Sequence, residues 1–77
     1  MGSSGTNTIE ATVATMQKVI DRDPGNAEAH RLMGRALIAA GRQQEGVTAL
    51  KEFLRLAPEG ASVEVERQLV ERLDQAE

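Results

Sequence analysis

Apolar residues recur along the chain at helical spacing, in four segments separated by helix-breaking residues. From Thr8 to Asp23 the stripe is Ile9, Val13, Met16 and Ile20, with Val19 beside it. Steps of four, three and four place these side chains on one face of a helix. Asn7 can cap its start, with Glu10 three residues on completing a capping-box-like pair, and Pro24-Gly25 ends it. Asn26 is the next N-cap candidate, followed by the stripe Ala29, Met33, Ala36, Leu37 and Ala40 and a left-handed stop at Gly41. A third helix is predicted over about Gln43 to Ala57, with Val47, Leu50, Phe53, Leu54 and Ala57 inward. It has no strong capping residue at its start, and Pro58 and Gly60 break it. Ser62 can cap a fourth helix to about Ala76, with Val65, Leu69, Leu73 and Ala76 as its stripe and Val63 and Val70 on the shoulders. No segment alternates with period two, so no strand is predicted. Residues 1–7 read as a flexible leader outside the fold, without the basic and apolar regions of a signal peptide, and residues 8–77 as one domain.

Composition narrows the functions open to such a chain. With 77 residues there is room for one small domain with a modest core. There is no cysteine, hence no disulfide framework, thiolate metal site or thiol nucleophile. One histidine cannot form a metal-holding cluster. Phe53 is the only aromatic residue, which removes base-stacking platforms. The net charge of −3 has the wrong sign for a phosphate-backbone binder. No apolar run approaches the roughly 20 residues that span a bilayer. Nucleic acid and membrane are therefore not expected as partners, and no cofactor is expected.

A shift of 34 residues superimposes the first and third helices. Val13 falls on Val47, Met16 on Leu50, Val19 on Phe53, Ile20 on Leu54 and Pro24 on Pro58. The physical reading is two equivalent helices, each ended by the same proline turn. With this period the chain resembles the tetratricopeptide repeat family, whose helix–turn–helix unit has 34 residues and a W-x2-L-G-x2-Y…A-x3-F…P pattern. Ala27–Gly60 matches one full unit. His30 stands in the Trp slot, Met33 in the Leu slot, Gly34 in the Gly slot and Leu37 in the Tyr slot. Gly46 takes the small-residue slot, Leu50 the Phe slot and Pro58 the Pro slot. Small residues at Gly34 and Gly46 would let the paired helices approach closely. The first helix then resembles the second half of a preceding unit. The fourth departs from the pattern, with Glu64, Arg67, Gln68 and Glu71 at the equivalent positions, and reads as a capping helix with a polar outer face. The resemblance implies an all-α fold, a short antiparallel helix-turn-helix solenoid of about four helices.

It also implies a concave groove that holds a protein or peptide partner. The groove positions are Glu28, Arg31, Arg35 and Ile38 from the second helix and Val65, Leu69 and Arg72 from the fourth. Arg31 and Arg35 are four apart and share a face, where two guanidiniums can grip a carboxylate, so an acidic partner is the first candidate. Glu28 can instead pair with Arg31 on a solvated face. The family's carboxylate clamp of Lys and Asn residues spread over several repeats has no match here. Residues 27–42 carry a net +2 and residues 61–77 a net −3, which suits either steering of an acidic ligand or head-to-tail pairing of copies. Glu64, Glu66, Glu71 and Asp74 resemble a carboxylate cluster, but the expectation is a solvated helix face. His30 has no readable catalytic companion and is expected to pack or lie at the surface. No P-loop, nucleophile elbow, EF-hand loop or zincin motif occurs. The expected role is a non-enzymatic protein–protein interaction module. The alternative is a self-association unit or terminal cap of a larger scaffold of the same repeats, giving a homo-oligomer through an open face on the first helix.

Overall fold

The computed structural model describes residues 4–57 and 59–75, with side chains from Thr8 onward except that of Ala61. Pro58 and Ala76 lie outside the described residues. Four helices follow one another: α1 Ser4–Arg22, α2 Ala27–Ala39, α3 Gln43–Leu56 and α4 Ala61–Gln75. No strand occurs among the described residues. α1 starts ahead of Thr8, so Asn7 is helical and is not its cap. α4 starts at Ala61, which puts Ser62 in its first turn instead of at the cap.

The remaining ends follow from local chemistry. The Asn26 side chain accepts from the backbone N–H of Ala29 at 3.1 Å, satisfying one of the free donors at the start of α2. At the other end Gly41 has φ +86, open to glycine at little steric cost. The chain there closes a Schellman motif, with the Arg42 N–H donating to the Leu37 carbonyl at 2.9 Å and the Gly41 N–H to Ile38 at 3.1 Å. α3 starts at Gln43 with no side-chain cap on Arg42. It stops at Leu56 because Ala57 precedes a proline and is held extended at φ −81, ψ 145.

Each helix packs on its neighbours in sequence: α1 on α2, α2 on α3 and α3 on α4. This linear order makes the molecule a short solenoid. The α2–α3 pair is the tightest, and its two glycines explain why. A Cβ on Gly34 would lie 2.7 Å from Leu50 Cγ, and one on Gly46 would lie 2.6 Å from Ile38 Cγ1. Each would also press on the other glycine's carbonyl oxygen. Leu50 is fully enclosed, and Val47 and Val70 complete a cluster flanked by Ile38, Leu54, Leu69 and Leu73. Ala29, Leu37, Phe53 and Val63 are also buried.

The inward face of α4 differs from the expected stripe. Val63, Glu66 and Val70 are buried and Leu73 is half-buried, whereas Val65 is 54% exposed. The helix is turned by roughly a quarter turn from the face that apolar spacing alone selects. A carboxylate, Glu66, lies at the centre of the inward stripe.

Candidate groove between α2 and α4

Glu66 sits three residues after Val63 and four before Val70, so the stripe that packs on the core carries it inward. It is only 1% exposed. Its charge is met by the arginines that the four-residue spacing puts on one face of α2. Arg35 Nε donates to Glu66 Oε1 at 2.9 Å and to Oε2 at 3.1 Å. Arg31 Nη1 approaches Oε2 at 3.4 Å. A buried carboxylate of this kind is tolerable only when paired and hydrogen-bonded. Here it is shared between two guanidiniums, and among the described residues no buried side-chain polar atom lacks a partner. The expectation of a solvated face therefore fails for Glu66, while Glu64, Glu71 and Asp74 are exposed.

Arg31 faces two ways. Its Nε donates to Glu28 Oε1 at 3.0 Å, and Nη2 also contacts the Glu28 carboxylate. These bonds hold the Glu28 carboxyl below the usual carboxylate range and raise the Arg31 guanidinium above its own. Arg35 remains 47% exposed on its other side. There it borders a shallow cleft of about 250 Å3 together with Val65, Gln68, Leu69 and Arg72. Four of the seven groove positions thus meet in one cleft: Arg35, Val65, Leu69 and Arg72. Arg31 lies behind it, joined through Glu66. Glu28 borders a separate recess between the start of α2, the end of α3 and the start of α4. Ile38 is half-buried against the core.

The sequence reading missed Gln68 in the cleft wall and Glu66 behind it. Glu66 had a signal: two arginines on one helix face call for a counter-charge, and Val63–Glu66–Val70 has inward spacing. The rest of the surface is local. His30 Nε2 donates to the Pro24 carbonyl at 3.0 Å, tying α2 to the preceding turn. Lys51 pairs with Asp74 across α3 and α4 at 3.1 Å. No group of acidic or histidine side chains that could hold a metal occurs among the described residues. No described helix is long and apolar enough to cross a membrane.

Antiparallel helices stacked in chain order, with glycines at the tightest crossing and a groove along one face, define a helical-repeat protein. A family model described as tetratricopeptide repeat matches residues 7–64, and the chain belongs to that family. No curated protein and no solved structure matches it. Repeats of this family generally mediate protein–protein interaction and are typically non-catalytic scaffolds.

Proposed function

We propose that the chain is a non-enzymatic interaction module that holds a partner segment across α2 and α4. The observation that carries this reading is the cleft where Val65 and Leu69 offer an apolar floor beside Arg35 and Arg72. Among the described residues, Val65 is more exposed than Leu32, the other large apolar side chain at the surface. The Arg72 side chain has no ion pair or hydrogen bond among the described residues, so its guanidinium is available to a carboxylate. Peptides selected from a displayed library should lose at least tenfold in affinity on Arg72→Glu or Val65→Glu, with the melting curve unchanged. Selected peptides indifferent to both substitutions would place the binding face elsewhere.

A second reading, self-association, is favoured by one comparison within the chain. Val47, Leu50 and Phe53 are buried in α3, whereas their repeat equivalents Val13, Met16 and Val19 in α1 are only half-buried. α3 has a helix on each side and α1 has only α2. In this reading a second copy covers the part of that half-buried apolar stripe that α2 leaves exposed.

A further inference from the structure

We propose that Glu66 sets the specificity of the groove: it occupies the anion site made by Arg31 and Arg35, excludes runs of acidic residues, and leaves room for a segment with one carboxylate beside an apolar side chain. This rests on the α2–α4 groove being the binding face.

Two arginines one helical turn apart are a ready anion site, and a partner with several carboxylates would be drawn to it. In this molecule the site is filled from within. The Glu66 carboxylate lies on the Nε of Arg35 through both oxygens and on Nη1 of Arg31. It is almost wholly enclosed, whereas Glu28, Glu45 and Glu64 in the other pairs on α2, α3 and α4 are exposed and Glu52 is half-exposed. Arg31 is engaged a second time by Glu28. An incoming carboxylate would have to displace a covalently tethered one, whose effective concentration is high and which is already desolvated. What stays open is the outer side of Arg35, the unpaired Arg72, and the apolar surface of Val65 and Leu69. Among the described residues, Arg72 is the cation of that surface without a partner, and beside a small apolar floor it matches one carboxylate flanked by apolar side chains. It does not match an acidic tract.

The test compares two labelled probes, a six-residue glutamate peptide and a six-residue peptide with one aspartate between two leucines. Both are titrated at low salt, where charge differences are least screened. The wild-type protein should bind the leucine–aspartate peptide at least tenfold more tightly. Glu66→Gln, which keeps the shape and removes the charge, should tighten the glutamate peptide at least tenfold. Glu71→Gln makes the same change in net charge at an exposed site and should alter binding less than twofold. Equal gains from the two substitutions, or no gain from Glu66→Gln in a helical protein, would overturn the proposal.

A measurement on the wild-type protein decides the matter if Glu66→Gln does not fold. In nitrogen-15 spectra the Nε–H signals of Arg31 and Arg35 should stay in place as glutamate peptide is added. Movement of both with saturation would show that Glu66 yields the site, and the proposal would be wrong. The groove reading fails separately, when neither Arg72 nor the Val65 and Leu69 methyl signals respond to the leucine–aspartate peptide.

Discussion

Gly34 and Gly46 carry a prediction whose sign is unusual. Within a helix, alanine in place of glycine ordinarily adds roughly 0.5–1 kcal/mol of stability by lowering the entropy of the unfolded chain. Here an added methyl group would press on backbone at 2.9 Å from Gly34 and 2.7 Å from Gly46, where no flexible side chain can swing away. Gly34→Ala and Gly46→Ala should therefore each destabilise, by about 1–3 kcal/mol, as overpacking does. Thermal melts followed by circular dichroism at 222 nm would show it, and a raised melting temperature for either variant would contradict this packing. Both glycines were legible in the sequence because the family pattern puts small residues at those two slots. Gly41 and Asn26 were legible for a simpler reason. A left-handed turn and an N-cap depend on a few neighbouring residues, so their chemistry is the same in any fold.

At the scale of elements, α4 is the helix whose sequence and structure diverge. Its apolar spacing favours Val65, Leu69 and Leu73, yet Val63, Glu66 and Val70 are inside with Leu73 at the edge. The backbone of α4 lies against α3, and its rotation goes with the apolar contacts on that side and with the arginines of α2 that reach across to Glu66. Arg35→Ala should then act on α4 before the rest of the fold. It leaves Glu66 buried with only the longer Arg31 contact, which costs about 1–3 kcal/mol for an under-satisfied buried group. The amides of α4 should exchange with solvent faster while those of α2 and α3 keep their protection. Uniform loss of protection through all four helices would mean that the ion pair does not govern α4 separately. A single-residue pattern reading misses this because it assigns Glu to solvent by type. A carboxylate is buried when a guanidinium pair on another helix awaits it, and that pairing joins residues 31 and 35 positions apart.

At the scale of the whole fold, the outer helices α1 and α4 differ in what they expose. At about 0.05–0.15 kcal/mol per residue, a chain of 77 residues has about 4–12 kcal/mol of stability. The α4 end presents Glu64, Gln68 and Glu71 to solvent, as a polar cap should. The α1 end presents half-covered Ile9, Val13, Met16, Val19 and Ile20. If a second copy covers that side, sedimentation with interference detection should show mass rising with concentration, and Val13→Glu should return the protein to 8.3 kDa throughout. A constant 8.3 kDa for the wild-type chain at every concentration would dismiss self-association.

The number of helices, the cap and stop of α2, the stop of α3, the 34-residue equivalence of α1 and α3, and the close crossing at Gly34 and Gly46 could all be read along the chain. Each depends on local backbone chemistry or on a repeating pattern, and neither needs a fold to be recognised. The seven groove positions could be written down as well, by resemblance. Their division into an open cleft of Arg35, Val65, Leu69 and Arg72, a closed pair of Arg31 and Arg35 on Glu66, and Ile38 half-buried against the core could not. That division follows from the rotation of α4 against its neighbours. Rotation balances apolar burial against the need of a buried charge for partners, and only the packed helices bring those partners to 2.9 Å for Arg35 and 3.4 Å for Arg31.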